Sequence, residues 1–429
     1  MTADTPPTAE AAPGRTLLSF QTFSAFQSKP FRLLWLNAFS FSLAQSIRQF
    51  SFVWLALEIS GKGQAIGLIS FALGIPILLF VLPAGALSDR MDRRVLLFGS
   101  QAAALIVTAA AALMVWSGHM TTPATFAFAL ALGATVAVGQ PVRSAIVPSM
   151  VEPERLLNAV TLTGLGQNVS MIAGPVAVGR VIDAWGVGGA FALQAVLLAV
   201  GLVALIPLRV PPHAVSRVRR RLLPELREGL SYAAGHAGIR TLLLALLATS
   251  LIMAGTFNTL LPKIAKEDLG VSAFAASMLF GAMGAGMLMS SLLLASLTRM
   301  ERAGLYFIVT LIAGGVLNTV MGLSPVYWFL LTMMFITGWN AGFFTNLNLT
   351  LIQSNTPQRV MGRVMAIYTL CLAGAQPVGA LVAGQMSDVV GAREWFVTCG
   401  AAFFVFGVAV FLTQPHLRRM RTGQVNEAS

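Results

Sequence analysis

The sequence predicts an all-α polytopic membrane protein, with twelve transmembrane helices in two pseudo-symmetric six-helix bundles. Three observations lead there. Hydrophobic residues fill 56% of the 429 positions and charged residues only 10%, whereas a soluble domain carries about 25% charged residues. Apolar runs of roughly 20 residues, each long enough to cross a hydrocarbon core of about 30 Å, recur along the chain. Finally, the chain repeats itself. "GRVIDAWGVGGAF" from Gly179 and "GQMSDVVGAREWF" from Gly384 share Gly, Asp, Gly and Phe at an offset of 205. "PER" from Pro153 returns as "PQR" from Pro357, and "RMDR" from Arg90 as "RMER" from Arg299.

Only helices and closed barrels satisfy their backbone in lipid, so runs of this length read as helices. The spans are expected at about 31–57, 65–87, 95–116, 123–147, 159–182 and 188–208, then 240–262, 273–295, 303–323, 327–352, 363–386 and 394–413. The organisation follows: a disordered tail and interfacial lead-in (1–30), a first bundle (31–208), a basic linker (209–239), a second bundle (240–413) and a tail (414–429). A parallel repeat of two six-helix halves marks a transporter whose halves rock around a central site.

The net charge of +12 does not point to nucleic acid. With the N-terminus placed in the cytoplasm, 21 of the 28 Lys and Arg fall on the inner side. Five fall outside (Lys62, Arg180, Lys263, Lys266, Arg393), and Arg48 and Arg143 fall within spans. That bias is the positive-inside rule, and the inner basic residues meet anionic lipid. Both termini are therefore expected in the cytoplasm. In the linker, Arg217, Arg219, Arg220, Arg221 and Arg227 are basic, and "LLPELREGLSYA" reads as an amphipathic helix on the inner face.

Cys371 and Cys399 sit inside apolar spans without metal-ligand spacing. The four histidines lie in loops or tails, and no nucleophile–base or metal constellation emerges. "SGKGQAIG" near Gly61 lacks the spacing of a phosphate-binding loop. Neither an enzyme nor a nucleotide-driven pump is expected, and no cofactor or metal.

"GALSDRMDRR", from Gly85, resembles the signature loop between helices 2 and 3 of the major facilitator superfamily. Gly85, Asp89, Arg90, Arg93 and Arg94 match, and Asp92 replaces the usual glycine, as in a subgroup of bacterial efflux proteins. "RVMGRVMAIYTLCLAGAQPVGA" (359–380) resembles helix 11 of that subgroup, which includes siderophore and macrolide exporters. "AGPVAVG" (173–179) resembles the Gly-Pro motif of helix 5 associated with export. Gly174, Pro175 and Gly179 match it, and Val178 departs from it. The resemblance implies a secondary transporter of a bacterial inner membrane, exporting a small amphipathic molecule such as a drug, siderophore or metabolite. It is expected as a monomer in contact with membrane lipid. An importer or facilitator on the same fold is a second reading, and a non-transporting sensor or scaffold a third.

Asp89 closes span 2 near the start of span 11 at Gly362, where a carboxylate facing a helix N-terminus gains about 0.3–1 kcal/mol. That contact needs the two halves closed on the inner side, so Asp89 is read as a gating residue, as the resemblance also implies. Arg90, Arg93 and Arg94 are candidates to pair with Glu152 or Glu154, or simply fix topology. Thr298 leaves the second half without a counterpart to Asp89.

Within the membrane, Asn37, Phe41, Gln45, Arg48 and Phe52 share a face of span 1 by helical spacing. A charge at mid-membrane costs about 2.5–3.5 kcal/mol unless it meets water or a partner. Arg48 is therefore expected either in a cavity, favouring an anionic substrate, or hydrogen-bonded to carbonyls of span 5 or 7. Arg143 is expected to snorkel to the interface or to pair with Asp89. Asn258, Trp339, Asn340 and Asn348 are candidate cavity donors. No Asp or Glu stands near the middle of a span. The repeat-related Asp183 and Asp388 are thus the candidates for proton coupling, with helix termination beside Gly186 and Gly391 as their alternative role.

Overall fold

The computed structural model describes residues 24–88, 91–208, 222–296 and 300–421. Among them the chain is helical, without a strand. The first half comprises α1 (Lys29–Ser60), α2 (Gly63–Ser88), α3 (Arg93–Trp116), α4 (Thr122–Ile146) and α5 (Leu156–Leu205). The linker contributes α6 (Leu222–Gly235). The second half comprises α7 (Ala237–Ala248), α8 (Gly255–Lys263), α9 (Ala273–Ala295), α10 (Ala303–Leu323), α11 (Tyr327–Ser354), α12 (Gln358–Thr369), α13 (Ala375–Val390) and α14 (Ala392–Thr413). A short α15 (Pro415–Arg418) follows.

Local chemistry sets the boundaries. Ser28 caps α1 with Pro30 in its first turn, and Thr121 caps α4 with Pro123 in its first turn. Asp92 accepts from the backbone N–H of Arg94 at 2.7 Å and opens α3. The acid that stands in place of the family's glycine therefore has a local role.

Gly186 takes φ 68° and ψ −178° inside α5, folding it into two helices. Its repeat partner Gly391 takes φ 96° between α13 and α14. Both angles lie where a Cβ would strain the backbone, which is why glycine ends the corresponding helix in each half.

Two long helices contain π-helical turns. Thr249–Ala254 joins α7 to α8, and Leu370–Gly374 joins α12 to α13. Such turns widen the helix by one residue and often accompany functional sites.

Among the described residues nine helical segments are long and apolar enough to cross a bilayer. One of them, Pro153–Leu205, has 53 residues. At about 1.5 Å per residue it exceeds twice the bilayer core.

Within the first half α1 packs on α5, α2 on α4, and α3 on α4 and α5. Within the second half α9 packs on α11, α10 on α11 and α14, and α8 on α13. The halves meet through α2 against α13 and α5 against α9.

Both of these seams depend on missing side chains. A Cβ at Gly67 would lie 2.7 Å from the carbonyl oxygen of Ala380, and one at Gly284 would lie 2.8 Å from Ile172. Gly63 faces Ser387, and Gly179 faces Ser277. Small residues let helix backbones approach closely, which is how helices associate where lipid removes the hydrophobic drive between them.

The linker helix α6 docks on α12, where Glu228 pairs with Arg363. It is amphipathic as the sequence predicts, with a protein partner for one face. The tail at 1–23, the arginines at 217 and 219–221, and residues 422–429 lie outside the described residues.

Candidate functional site

A cavity of about 400 Å³ lies between the halves. From the first half, α1 contributes Ser46, Gln49, Phe50 and Val53, and α5 contributes Met171 and Pro175. From the second half come the π turn (Thr249, Ser250, Met253), α8 (Phe257, Asn258), α9, α10, α11 (Asn340, Phe344, Thr345) and Phe403 of α14. Its size is that of a small-molecule site, about 300–1,000 Å³. Phe50 of α1 and Phe280 of α9 meet edge to face across the seam, with centroids 6.0 Å apart.

Of the candidate cavity donors, Asn258 and Asn340 line this cavity, and each is pinned by its amide. Nδ2 of Asn258 donates to the Ala254 carbonyl at 2.9 Å, and that of Asn340 to the Thr310 carbonyl at 2.9 Å. Trp339 does not line it. Its ring lies against Phe343, with centroids 5.8 Å apart. Asn348 is also elsewhere, buried and donating to the Leu242 carbonyl.

The expectation for span 1 requires a larger correction. The helix turns Ser46, Gln49, Phe50 and Val53 to the cavity, one residue out of phase with the face expected from Asn37, Gln45 and Arg48. One position on an α-helix is a rotation of about 100°, enough to move a side chain from cavity to bundle core.

Arg48 is buried in the first half and donates from Nη1 to the Leu132 carbonyl of α4 at 3.2 Å. Its contact is thus with a helix carbonyl, of span 4 rather than span 5 or 7. Asn37 is fully buried, donating to Gln101 at 2.7 Å and to the Gly201 carbonyl at 2.9 Å. Gln45 is half-buried, and its Oε1 has no hydrogen-bond partner among the described residues.

Arg143 neither snorkels nor meets an acid among the described residues. It stacks on Phe41, its guanidinium 3.7 Å from the ring centroid, and donates to Asn37 Oδ1 at 2.9 Å and Gln101 Oε1 at 3.1 Å. Asn37, Gln101 and Arg143 thus form one buried network joining α1, α3 and α4. Satisfying such groups together avoids the cost of about 1–3 kcal/mol for each orphaned polar atom.

The repeat-related acids occupy equivalent places. Asp183, near the end of the first arm of α5, accepts from the backbone N–H groups of Ala273 (3.0 Å) and Phe274 (3.2 Å) at the start of α9. Asp388, near the end of α13, accepts from those of Gly63 (2.7 Å) and Gln64 (2.8 Å) at the start of α2. Each carboxylate caps a helix of the other half. Asp388 also accepts from Lys263 Nζ at 3.0 Å.

Beneath each cap lies the close contact of a glycine four residues earlier, Gly179 on Ser277 and Gly384 on Gly63. One end of the molecule is therefore latched across both seams. Toward the opposite end, a Cβ added at Gly164 or Gly362 would meet nothing within 4 Å.

Asp89 and Arg90 of the signature loop, and Thr298 and Arg299 of its counterpart, lie outside the described residues; Gly85 falls in the last turn of α2. Arg93 and Arg94 do not pair with Glu152 or Glu154. Arg93 donates to the Ala145 carbonyl at 3.2 Å and Arg94 to the Ile206 carbonyl at 2.8 Å. Those carbonyls end α4 and α5, where a cation complements the helix dipole. Glu152 pairs with Arg155 instead.

In the helix 5 motif, Gly174 lets α5 approach α1, since a Cβ there would lie 2.5 Å from that of Ser46. Pro175 lines the cavity, and Gly179 belongs to the latch. Spacing alone missed Gln49, Phe50 and the π-turn residues. The face of α1 was detectable only by weighing a second rotational phase, and no sequence signal marks the π turns.

Residues 20–427 match the sequence pattern of the family described as transmembrane secretion effector. Macrolide efflux protein A of Streptococcus pyogenes is 21% identical over 384 residues, covering 88% of this chain and 94% of that one. The multidrug efflux pump Tap of Mycolicibacterium fortuitum is 26% identical, covering 91% and 97%. The enterobactin exporter EntS of Escherichia coli O1:K1 / APEC is 24% identical over 278 residues, 65% of this chain and 66% of that one.

Among solved structures, a peptide transporter POT in complex with sulfate superposes with a TM-score of 0.72 at 16% identity, covering 94% of this chain and all of that one. With its fold, its central cavity and this match over nearly its full length, the chain belongs to the transmembrane secretion effector family, within the major facilitator superfamily of secondary transporters.

Proposed function

We propose that the protein exports a small amphipathic compound from the cytoplasm across a bacterial inner membrane, by alternating access and as a monomer. The observation that carries this reading is a cavity between two repeat-related halves, latched at one end by Asp183 and Asp388. In this reading the division into bundles at 31–208 and 240–413 is the division into rocking bodies. Counting Pro153–Leu205 as two crossings, and adding α1 and α11, brings the nine candidate spans to twelve. Both termini then lie in the cytoplasm, the latched end is external, and the conformation opens inward. Export is favoured by the efflux relatives.

Asp183 and Asp388 work here as an outer latch, and Gly85, Asp89, Arg90, Arg93 and Arg94 as the inner gate that replaces it when the cycle turns. Proton coupling acts through the same latch. Asp388 faces Lys263, with Glu267 beside that lysine at 3.9 Å, and protonation of Asp388 removes the charge that two N–H groups and an ammonium hold. Uptake of a panel of macrolides, dyes and siderophores into inside-out vesicles, with and without a pH gradient, tests export. Accumulation of at least one compound under the gradient is expected. No accumulation of any compound, beside accumulation in right-side-out vesicles, would overturn the direction assigned.

A further inference from the structure

Among the described residues, none that lines the cavity is charged. Two charged residues that adjoin lining residues in sequence have partners elsewhere. Arg48 precedes the lining residue Gln49, yet it does not line the cavity, and its Nη1 donates to the Leu132 carbonyl inside the first half. Lys263 follows the lining residue Pro262, yet its ammonium lies on Asp388. A charged ligand would leave water for walls of Phe and Met with no counter-charge, a transfer that burial penalises heavily. A ring-bearing neutral ligand meets polarizable Met side chains and aromatic faces that adapt to its shape.

The polar groups in the wall carry a second selection. Asn258 and Asn340 each spend an amide N–H on a helix carbonyl. A carbonyl can face only the NH₂ end, so this contact fixes the orientation of each amide. The hydroxyls of Ser46, Thr249 and Thr310 likewise donate to carbonyls of their own helices, at 3.2, 2.7 and 2.6 Å. What these five side chains offer the cavity is chiefly oxygen lone pairs, beside the amide of Gln49 and the hydroxyls of Ser250 and Thr345.

Granting that this cavity is the transport site of the exporter proposed above, we infer that it takes an uncharged, ring-bearing amphiphile that donates hydrogen bonds, and rejects anions. An anionic siderophore is therefore excluded as cargo.

Binding to the purified protein in nanodiscs tests this independently of transport, with N-phenyl-1-naphthylamine, its N-methyl analogue and its sulfonated analogue 1-anilinonaphthalene-8-sulfonate. Cavity-dependent signal is defined as that lost in both Ala341→Trp and Thr345→Trp, two variants of different position whose folding is checked by gel filtration. The neutral N–H dye is expected to bind about tenfold or more tightly than the sulfonate, and several-fold more tightly than the N-methyl compound.

A carboxylate introduced by Asn340→Asp should raise cavity-dependent binding of the trimethylammonium derivative of diphenylhexatriene relative to diphenylhexatriene itself. Equal affinity for the neutral and sulfonated dyes overturns the inference while leaving export untouched. Absence of cavity-dependent binding by every dye overturns it as well. Failure of vesicle uptake with the expected dye preference intact would count against export alone.

Discussion

Asp183 and Asp388, 205 positions apart, make the same contact in opposite directions: each leaves its own half to cap the first turn of a helix in the other. The contact exists only while the latched end is closed, so its energy belongs to one conformation of the cycle. A lost helix cap costs about 0.5–2 kcal/mol, and one or two kcal/mol shifts a two-state population by a factor of about 5–30.

Asp183→Ala and Asp388→Ala should each expose the cavity from the latched end. A cysteine placed at Val53, in a background without Cys371 and Cys399, should label faster with a membrane-impermeant thiol reagent from outside. The Asp388 variant should show the larger effect, since it also leaves the nearly buried Lys263 without its nearest partner. Labelling rates unchanged in both variants would remove the latch from the mechanism.

Lys263→Met should weaken the latch less than Asp388→Ala, because the two N–H groups of α2 remain capped. The double variant should fall short of the summed single effects, with a coupling of about 0.5–3 kcal/mol typical of contacting pairs. Additive labelling shifts would mean that Lys263 is a bystander.

Gly67→Ala should impede closure of the same end through sterics alone. Its Cβ would be placed 2.7 Å from a backbone oxygen of α13, which has no side-chain freedom to yield. Transport should drop and outside labelling of the Val53 cysteine should rise, although Asp388, Lys263 and the N–H groups of Gly63 and Gln64 are all still present. Normal transport in this variant would show that the seam opens too little to matter.

Asn37→Ala should destabilise the protein by about 1–3 kcal/mol, since it orphans groups on Arg143 and Gln101. Substrate KM in uptake should stay near the parent value, because Asn37 is not in the cavity wall. Thermal unfolding of purified protein beside vesicle kinetics separates the two outcomes. A raised KM with unchanged melting would return Asn37 to the substrate site.

Much of the fold was legible from composition and spacing. Apolar runs of bilayer length placed α1, α9, α10 and α14 within a few residues of their observed ends, and the repeat located Gly186 and Gly391, both at positive φ. The site was legible only in part. Helical spacing identified polar positions on α1, but periodicity gives a relative angle between residues and no absolute direction. Asn37 and Arg48, buried in the bundle, and Ser46 and Gln49, facing the cavity, satisfy the same spacing rule.

By itself the sequence determined the membrane class, the two-fold repeat and the scarcity of charge, because a lipid environment constrains composition and length directly. Which polar residues face each other was decided by tertiary packing. The charge on Arg143 is answered by an asparagine, a glutamine and an aromatic ring from α1 and α3 rather than by an acid nearby in sequence. Asp183 and Asp388 find their partners 90 and 325 residues away, at helix starts whose unpaired N–H groups come within reach only when the two halves are brought together.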